Sequence, residues 1–260
     1  MVIVHASEWL AADEPGFVHA VGMAAHSGAS VRGVHIGREP GAQPAPSAAA
    51  LVERWGHSAA VDHAWLFRDS SEDLVDALLA VITPLRPELI VAYTHARSGV
   101  ARLFVGSVAE GVARNVAVPM LLLPGEAPPL VNAKTGAFRL DRALLLAGPT
   151  SDAQDACTGL SLLTRLAGAQ PCAVELLHVE DGTADPQITL PPGFKFTRQH
   201  AAGPIERAVA ERVQTYQPNL VVMTSHGHDQ LSDVVFSSHT ERVIHEVRRP
   251  VLWIPARHPA

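Results

Sequence analysis

Short runs of β-branched and aliphatic residues alternate along the chain with longer stretches whose apolar positions recur every three or four residues. This alternation predicts strand then helix, again and again, as in a parallel sheet covered by helices. Strands are expected at Val2 to Val4, Ser30 to Ile36, Val61 to Phe67, Leu89 to Ala92 and Met120 to Leu123. The first intervening helix spans Phe17 to His26 and stops at Gly28. A loop rich in Pro, Gly and Ala fills Gly37 to Ser47, and a short helix follows around Ala48 to Trp55. Ser70-Ser71-Glu72-Asp73 offers a capping-box start to a helix carrying Leu74, Val75, Leu78, Leu79 and Ile82 on one face, ended by Pro84 and Pro87. Leu89 to Ala92 is apolar at every position, as expected of a strand buried on both faces, and Gly106 to Val116 reads as the last helix of this half.

The second half repeats the order. Strands fall at Ala143 to Ala147, Ala173 to Val179, Phe194 to Gln199, Leu220 to Met223 and Val251 to Ile254, with helices at Ala153 to Ala167, Pro204 to Tyr216 and Ser237 to Val247. Gly203-Pro204 suits the loop entry and first turn of its helix.

The repetition is also literal. Leu89 to Pro124, 36 residues, aligns without a gap on Leu220 to Pro255, 131 positions later. Ten positions are identical, among them His95/His226, Ser107/Ser238, Glu110/Glu241, Pro119/Pro250 and Leu121/Leu252, and many others exchange one apolar residue for another. A period of half the chain is too long for a solenoid unit and right for a small domain, so the chain reads as one domain written twice. Pro124 to Gly136 is the expected linker, with a boundary near Thr135: one domain over residues 1–134 and another over 135–260.

Composition narrows the function. At 260 residues, 47% hydrophobic and 18% charged, with net charge −6, the chain can bury two ordinary cores. No run of Lys or Arg supplies the concentrated basic face that nucleic acid or an anionic membrane requires, so neither is an expected partner. The N-terminus carries no export signal and no apolar stretch is long enough to span a bilayer, which makes a cytoplasmic protein the expectation. Cys157 and Cys172 match no metal or redox spacing and read as buried thiols. Neither Gly-x-Ser-x-Gly nor a lysine-bearing phosphate loop occurs, so dedicated hydrolysis is not advertised.

Each repeated segment has a strand ending in Thr94-His95 or Ser225-His226-Gly227 and a helix start at Gly106-Ser107 or Ser237-Ser238. Val118-Pro119 or Arg249-Pro250 then precedes a last strand. In these features the chain resembles the universal stress protein family, present as a tandem pair. The resemblance implies two tandem doubly wound α/β domains of the adenine nucleotide alpha-hydrolase-like type. Each would have five strands, and the two would pack as a pseudo-dimer through the last strands, Met120 to Leu123 and Val251 to Ile254. Independently, an apolar edge such as Val251-Leu252-Trp253-Ile254 invites pairing with a tethered copy.

The resemblance also implies a nucleotide pocket. Members that bind ATP carry Gly, two residues, Gly, nine residues, then Gly and Ser or Thr; the glycines admit a polyphosphate to the backbone and the last pair opens a helix toward it. The first half reads Tyr93, Ala96, Gly106, Ser107 at these places and the second Thr224, Gly227, Ser237, Ser238, so both copies depart from the pattern. Tyr93 is the bulkier intrusion. The acidic residue that relatives place after the first strand is replaced by Ser7 in one half and by Pro149 in the other. Candidate nucleotide-binding residues are therefore Thr224, Ser225, His226, Gly227, Ser237 and Ser238, with Gly106 and Ser107 in the first half, for ATP with magnesium. The other reading of Gly106-Ser107 and Ser237-Ser238 is plain helix capping, and of His95 and His226 a loop-fixing hydrogen bond rather than catalysis. His226, His228, His239 and His245 form no recognised metal pattern and read as solvated surface residues. The function implied is a noncatalytic stress-response regulator with a degenerate adenine-nucleotide pocket. The alternatives are an interaction module with vestigial pockets and unknown protein partners, or a slow ATP hydrolase.

Overall fold

The computed structural model describes residues 1–7, 14–37, 45–69, 73–94, 111–112, 115–147, 150–179, 185–225 and 247–255. In chain order these form β1 (Val2–Ala6), α1 (Pro15–Ser27), β2 (Ser30–Ile36), α2 (Ala48–Arg54), β3 (His63–Arg68), α3 (Leu74–Leu85), β4 (Leu89–Thr94) and β5 (Met120–Pro124). The second half gives β6 (Arg142–Ala147), α4 (Thr150–Leu166), β7 (Ala173–Val179), β8 (Lys195–Ala201), α5 (Ile205–Tyr216), β9 (Leu220–Ser225) and β10 (Val251–Pro255). Among the described residues the strands make one ten-stranded sheet in the order β3-β2-β1-β4-β5-β10-β9-β6-β7-β8.

Every pairing within a half is parallel, and the one between halves, β5 with β10, is antiparallel. Leu121 lies opposite Leu252, its own counterpart 131 positions on, with Met120 opposite Trp253 and Leu122 opposite Val251. A local twofold therefore passes through the Leu121–Leu252 pair. All six side chains are buried. At about 1.5–3 kcal/mol for each large apolar side chain, this seam holds the halves together by burial as well as by backbone hydrogen bonds.

Helices cover both faces of the sheet. Ala20, Met23 and Ala24 of α1 and Ala156, Leu160 and Leu163 of α4 join one core, which takes strand residues from both halves. Leu78 and Ile82 of α3 and Val209 and Val213 of α5 join the core on the other face. Helix α4 comes so close to β10 that a Cβ added at Gly159 would stand 2.1 Å from Ile254 Cδ1, so glycine permits the approach.

The helix ends show where residue pattern misleads. Pro84 does not stop α3, which runs on to Leu85; the stop is Arg86 in the left-handed region at φ 46°. Helix α5 ends the same way at Gln217, φ 52°, 131 positions later, and each cap precedes a proline. Pro204 stands at the N-cap of α5, one residue before its first turn. The start of α3 is capped by Asp73, whose Oδ1 accepts the Val75 amide at 2.8 Å, while residues 70–72 lie outside the described set.

The segment between the halves is folded. Asn132 and Gly136 close a tight turn, Val131 bridges Phe138, and Leu130 and Val131 are buried. The Trp55 indole donates to Ala133 O at 2.9 Å, and the expected boundary near Thr135 falls at the tip of this hairpin.

Candidate functional site

Strand order reverses within each half between its first and fourth strands, at β1/β4 and at β6/β9. In open parallel sheets the ligand crevice lies beyond the carboxyl ends of the strands at such a point. The ladders also match the halves residue by residue. His5 pairs with Val91 and Leu145 with Val222, so Leu145 stands where the first half has His5. Tyr93 pairs with Leu123 and Thr224 with Ile254, so Thr224 stands where the first half has Tyr93. Continuing the register matches Ser7 with Ala147, two residues earlier than Pro149, and neither carries a carboxylate.

The carboxylate of the first half comes from elsewhere. Glu14 caps α1, accepting the Phe17 amide at 2.7 Å, and the same Oε2 lies 2.8 Å from His5 Nε2. Both side chains are almost wholly buried. Burial pushes the Glu14 carboxyl up, but His5 and the amides of Phe17 and Gly16 together outweigh it and hold the group below its ordinary value. A Cβ at Gly16 would stand 2.7 Å from the His5 ring, so glycine lets the imidazole lie against the helix start. Half-buried Tyr93 is close enough that the Glu14 charge, after burial, raises its phenol pKa.

An aromatic wall continues from this pair across β2 and β3. Phe17 stacks on Trp65 with centroids 5.5 Å apart, Trp65 stacks on Phe67, and His63 meets both Phe17 and Trp65 edge-on. Trp65 lies flat over Gly33, where a Cβ would meet the indole at 2.2 Å, and its Nε1 donates to Pro46 O at 2.9 Å. Burial lowers the His63 pKa to about 4. The His5–Glu14 pair and Tyr93 thus stand near the carboxyl ends of β1 and β4, while Phe17, His63 and Trp65 pack on one another against the face of the sheet.

The second half has no such set at the matching positions: Leu145 replaces His5, Arg198 replaces Trp65 and Thr224 replaces Tyr93. Thr224 is buried at the end of β9, and Ser225 is the last residue of that strand. His226, Gly227, Ser237, Ser238, Gly106 and Ser107 lie outside the described residues, as do His95, Ala96, His228, His239 and His245. Cys157 and Cys172 are buried free thiols, and burial pushes both to about 11. Among the described residues no group of three His, Cys, Asp or Glu is placed to hold a metal ion, and no helix is long and apolar enough to cross a membrane. Sequence reasoning missed Glu14 and His5. The available signal was Glu14-Pro15-Gly16, a proline in the first helical turn, obscured because Glu is not among the favoured N-caps.

Known proteins add to this geometry. The sequence pattern of the universal stress protein family matches residues 70–124 and 187–255, once in each half. Each half thus carries this family's pattern, consistent with a tandem member. A universal stress protein from Archaeoglobus fulgidus has a similar fold, with TM-score 0.65 at 15% identity over 98% of this chain and 96% of that one. A putative universal stress protein from Pseudomonas aeruginosa aligns with TM-score 0.64 at 12% identity, over 98% and 92%. At such identities the likeness establishes the fold of a tandem universal stress protein and nothing finer. No curated protein matches the sequence significantly.

Proposed function

We propose that this tandem universal stress protein is a cytoplasmic, noncatalytic regulator in the stress response that holds an adenine nucleotide, with magnesium, in its second half. The observation that carries the reading is the contrast between the switch points. At β1/β4 stand Tyr93 and the buried His5–Glu14 pair; at β6/β9 the matching positions are Thr224 and Leu145. In the first half the Tyr93 ring takes up room at the end of β4, which supports placing the ligand in the other half. The second leaves a small hydroxyl residue there. Ser225 and His226 would donate to phosphate, Gly227 would admit it to the backbone, and Ser237-Ser238 would open a helix toward it. Gly106-Ser107 is the corresponding pair of the first half.

Calorimetric titration of the nucleotide-stripped protein with ATP and magnesium tests this. Micromolar binding in the parent that is lost in both Thr224→Tyr and Ser238→Tyr is the expected result. Binding kept in both variants moves the site to Gly106-Ser107. No heat and no thermal stabilisation at millimolar ATP would overturn nucleotide binding and leave the protein an interaction module with vestigial pockets.

A further inference from the structure

The carboxyl ends of β7 and β8 carry a second group of side chains that the nucleotide reading does not use. His178 pairs with His200 and Leu176 with Arg198 along the β7–β8 ladder, and alternation along the strand puts His178, His200 and Arg198 on one face. The two imidazole rings stand 5.8 Å apart, edge to face. Between these heads sits one carboxylate, Asp185, on the crossover from β7 to β8. His200 Nε2 is 3.4 Å from Oδ2, Arg198 NH1 is 3.7 Å from Oδ2, and His178 Nε2 is 3.8 Å from Oδ1. Charge-assisted hydrogen bonds close to about 2.7–2.9 Å. All three contacts are longer, so the heads surround a space larger than the carboxylate fills.

His178 supplies a second, independent observation. It is 5% exposed, its Nδ1 is buried without a hydrogen-bond partner, and its Nε2 is beyond hydrogen-bonding distance of Asp185. His35, at the matching position of the first half, places Nδ1 2.9 Å from Ser7 O. The histidine has a structural partner in one copy and none in the other. The Nδ1 of His178 is left without the bond that its counterpart makes, and its Nε2, which faces Asp185 at 3.8 Å, is the atom that can donate to a ligand at the rim.

We propose that this rim binds a tetrahedral oxyanion, the phosphate of a small phosphorylated molecule, with His178, Arg198 and His200 as donors and Asp185 as an internal carboxylate that the ligand displaces. A tetrahedral anion presents oxygens in several directions and reaches donors on three sides at once, which a planar carboxylate at 3.4–3.8 Å does not. Asp185 belongs to no strand, so it withdraws without breaking a ladder. The rim stands at β7 and β8, to one side of the β6/β9 switch point, and is independent of the nucleotide reading.

Inorganic phosphate, titrated while the side-chain resonances of His178 and His200 are followed by NMR, tests the site in the full chain. The parent should saturate in the millimolar range. Asp185→Asn should bind roughly tenfold more tightly, because a unit negative charge a few ångströms from the ligand is removed. The double variant Arg198→Gln/His200→Gln should show no saturable shift at His178, while thermal unfolding confirms its fold and its ATP titration stays as in the parent. If the double variant does not fold, His200→Gln alone must weaken binding at least threefold. Sulfate should act as phosphate does and chloride should not. An Asp185→Asn protein that binds phosphate no more tightly than the parent, or a folded double variant indistinguishable from it, overturns the proposal.

Discussion

The tie between α1 and the segment joining the halves rests on one neutral imidazole. His19 places Nδ1 2.6 Å from Pro15 O, and its Nε2 accepts the amides of Leu130 at 2.9 Å and Val131 at 3.1 Å. Only the Nδ1–H tautomer serves all three partners. Full burial lowers its pKa from 6.5 to about 4; the Pro15 carbonyl and the Glu14 charge oppose this and His5 adds to it. The folded value lies below the unfolded one, so the stabilising contribution is complete above pH 6.5. It falls as the pH drops toward 4 and is constant below that. Two and a half units correspond to about 3 kcal/mol, of which about 2 kcal/mol is lost between pH 7 and pH 5.

Replacing His19 with leucine removes the acceptor and leaves two buried amides unpaired, at about 1–3 kcal/mol each. The variant should therefore be less stable than the parent by about 2–6 kcal/mol at pH 7. At pH 5 the gap should shrink by about 2 kcal/mol, because only the parent has lost the imidazole's contribution. Urea unfolding followed by tryptophan fluorescence at the two pH values measures both quantities. Glu14 and His63 titrate in both proteins, so their contributions cancel in the difference. A gap of the same size at pH 5 and pH 7, or one below 1 kcal/mol at pH 7, would refute the argument.

Two further outcomes are expected from the backbone. Gly33→Ala should drive Trp65 off the sheet and break its bond to Pro46 O, costing about 2–4 kcal/mol in thermal unfolding with a changed near-ultraviolet tryptophan signal. Arg86→Gly should stabilise the protein by about 1 kcal/mol in urea, since a non-glycine residue held at φ 46° is strained there.

Most of the fold was legible in the sequence. Fully apolar runs such as Leu89 to Ala92 mark central parallel strands, because both faces of such a strand are covered, and β2 and β7 match their expected bounds. The gapless offset of 131 carries directly into the ladders, where Tyr93–Leu123 and Thr224–Ile254 occupy equivalent rungs. Termini were less legible. Arg86 and Gln217 end helices in a conformation that residue type does not announce, and Pro84 is tolerated in a last turn where pattern says stop. Least legible was Glu14, whose meaning depends on His5 from a strand and on the amides of its own helix. A contact between a strand and a helix start leaves no periodic trace.

The two halves diverge where the fold allows it. At the seam the two copies of one segment face each other: Leu121 lies against its own repeat Leu252, and Met120 and Leu122 face the counterparts of each other. A change at one of these positions must be accommodated by the residue packed across the seam, which holds all six to buried apolar side chains, with the larger Trp253 set against Met120 and the smaller Val251 against Leu122. The carboxyl ends at the two switch points are built from separate halves, so the residues there can differ from one copy to the other. That is the arrangement seen: His5, Glu14 and Tyr93 come together in the first half, while the second has Leu145 and Thr224 at the matching positions and a loosely held carboxylate beside an unpaired buried histidine. Tethering preserves the paired scaffold while the carboxyl ends of the two halves carry different residues. The two halves should accordingly differ in ligand response far more than in stability.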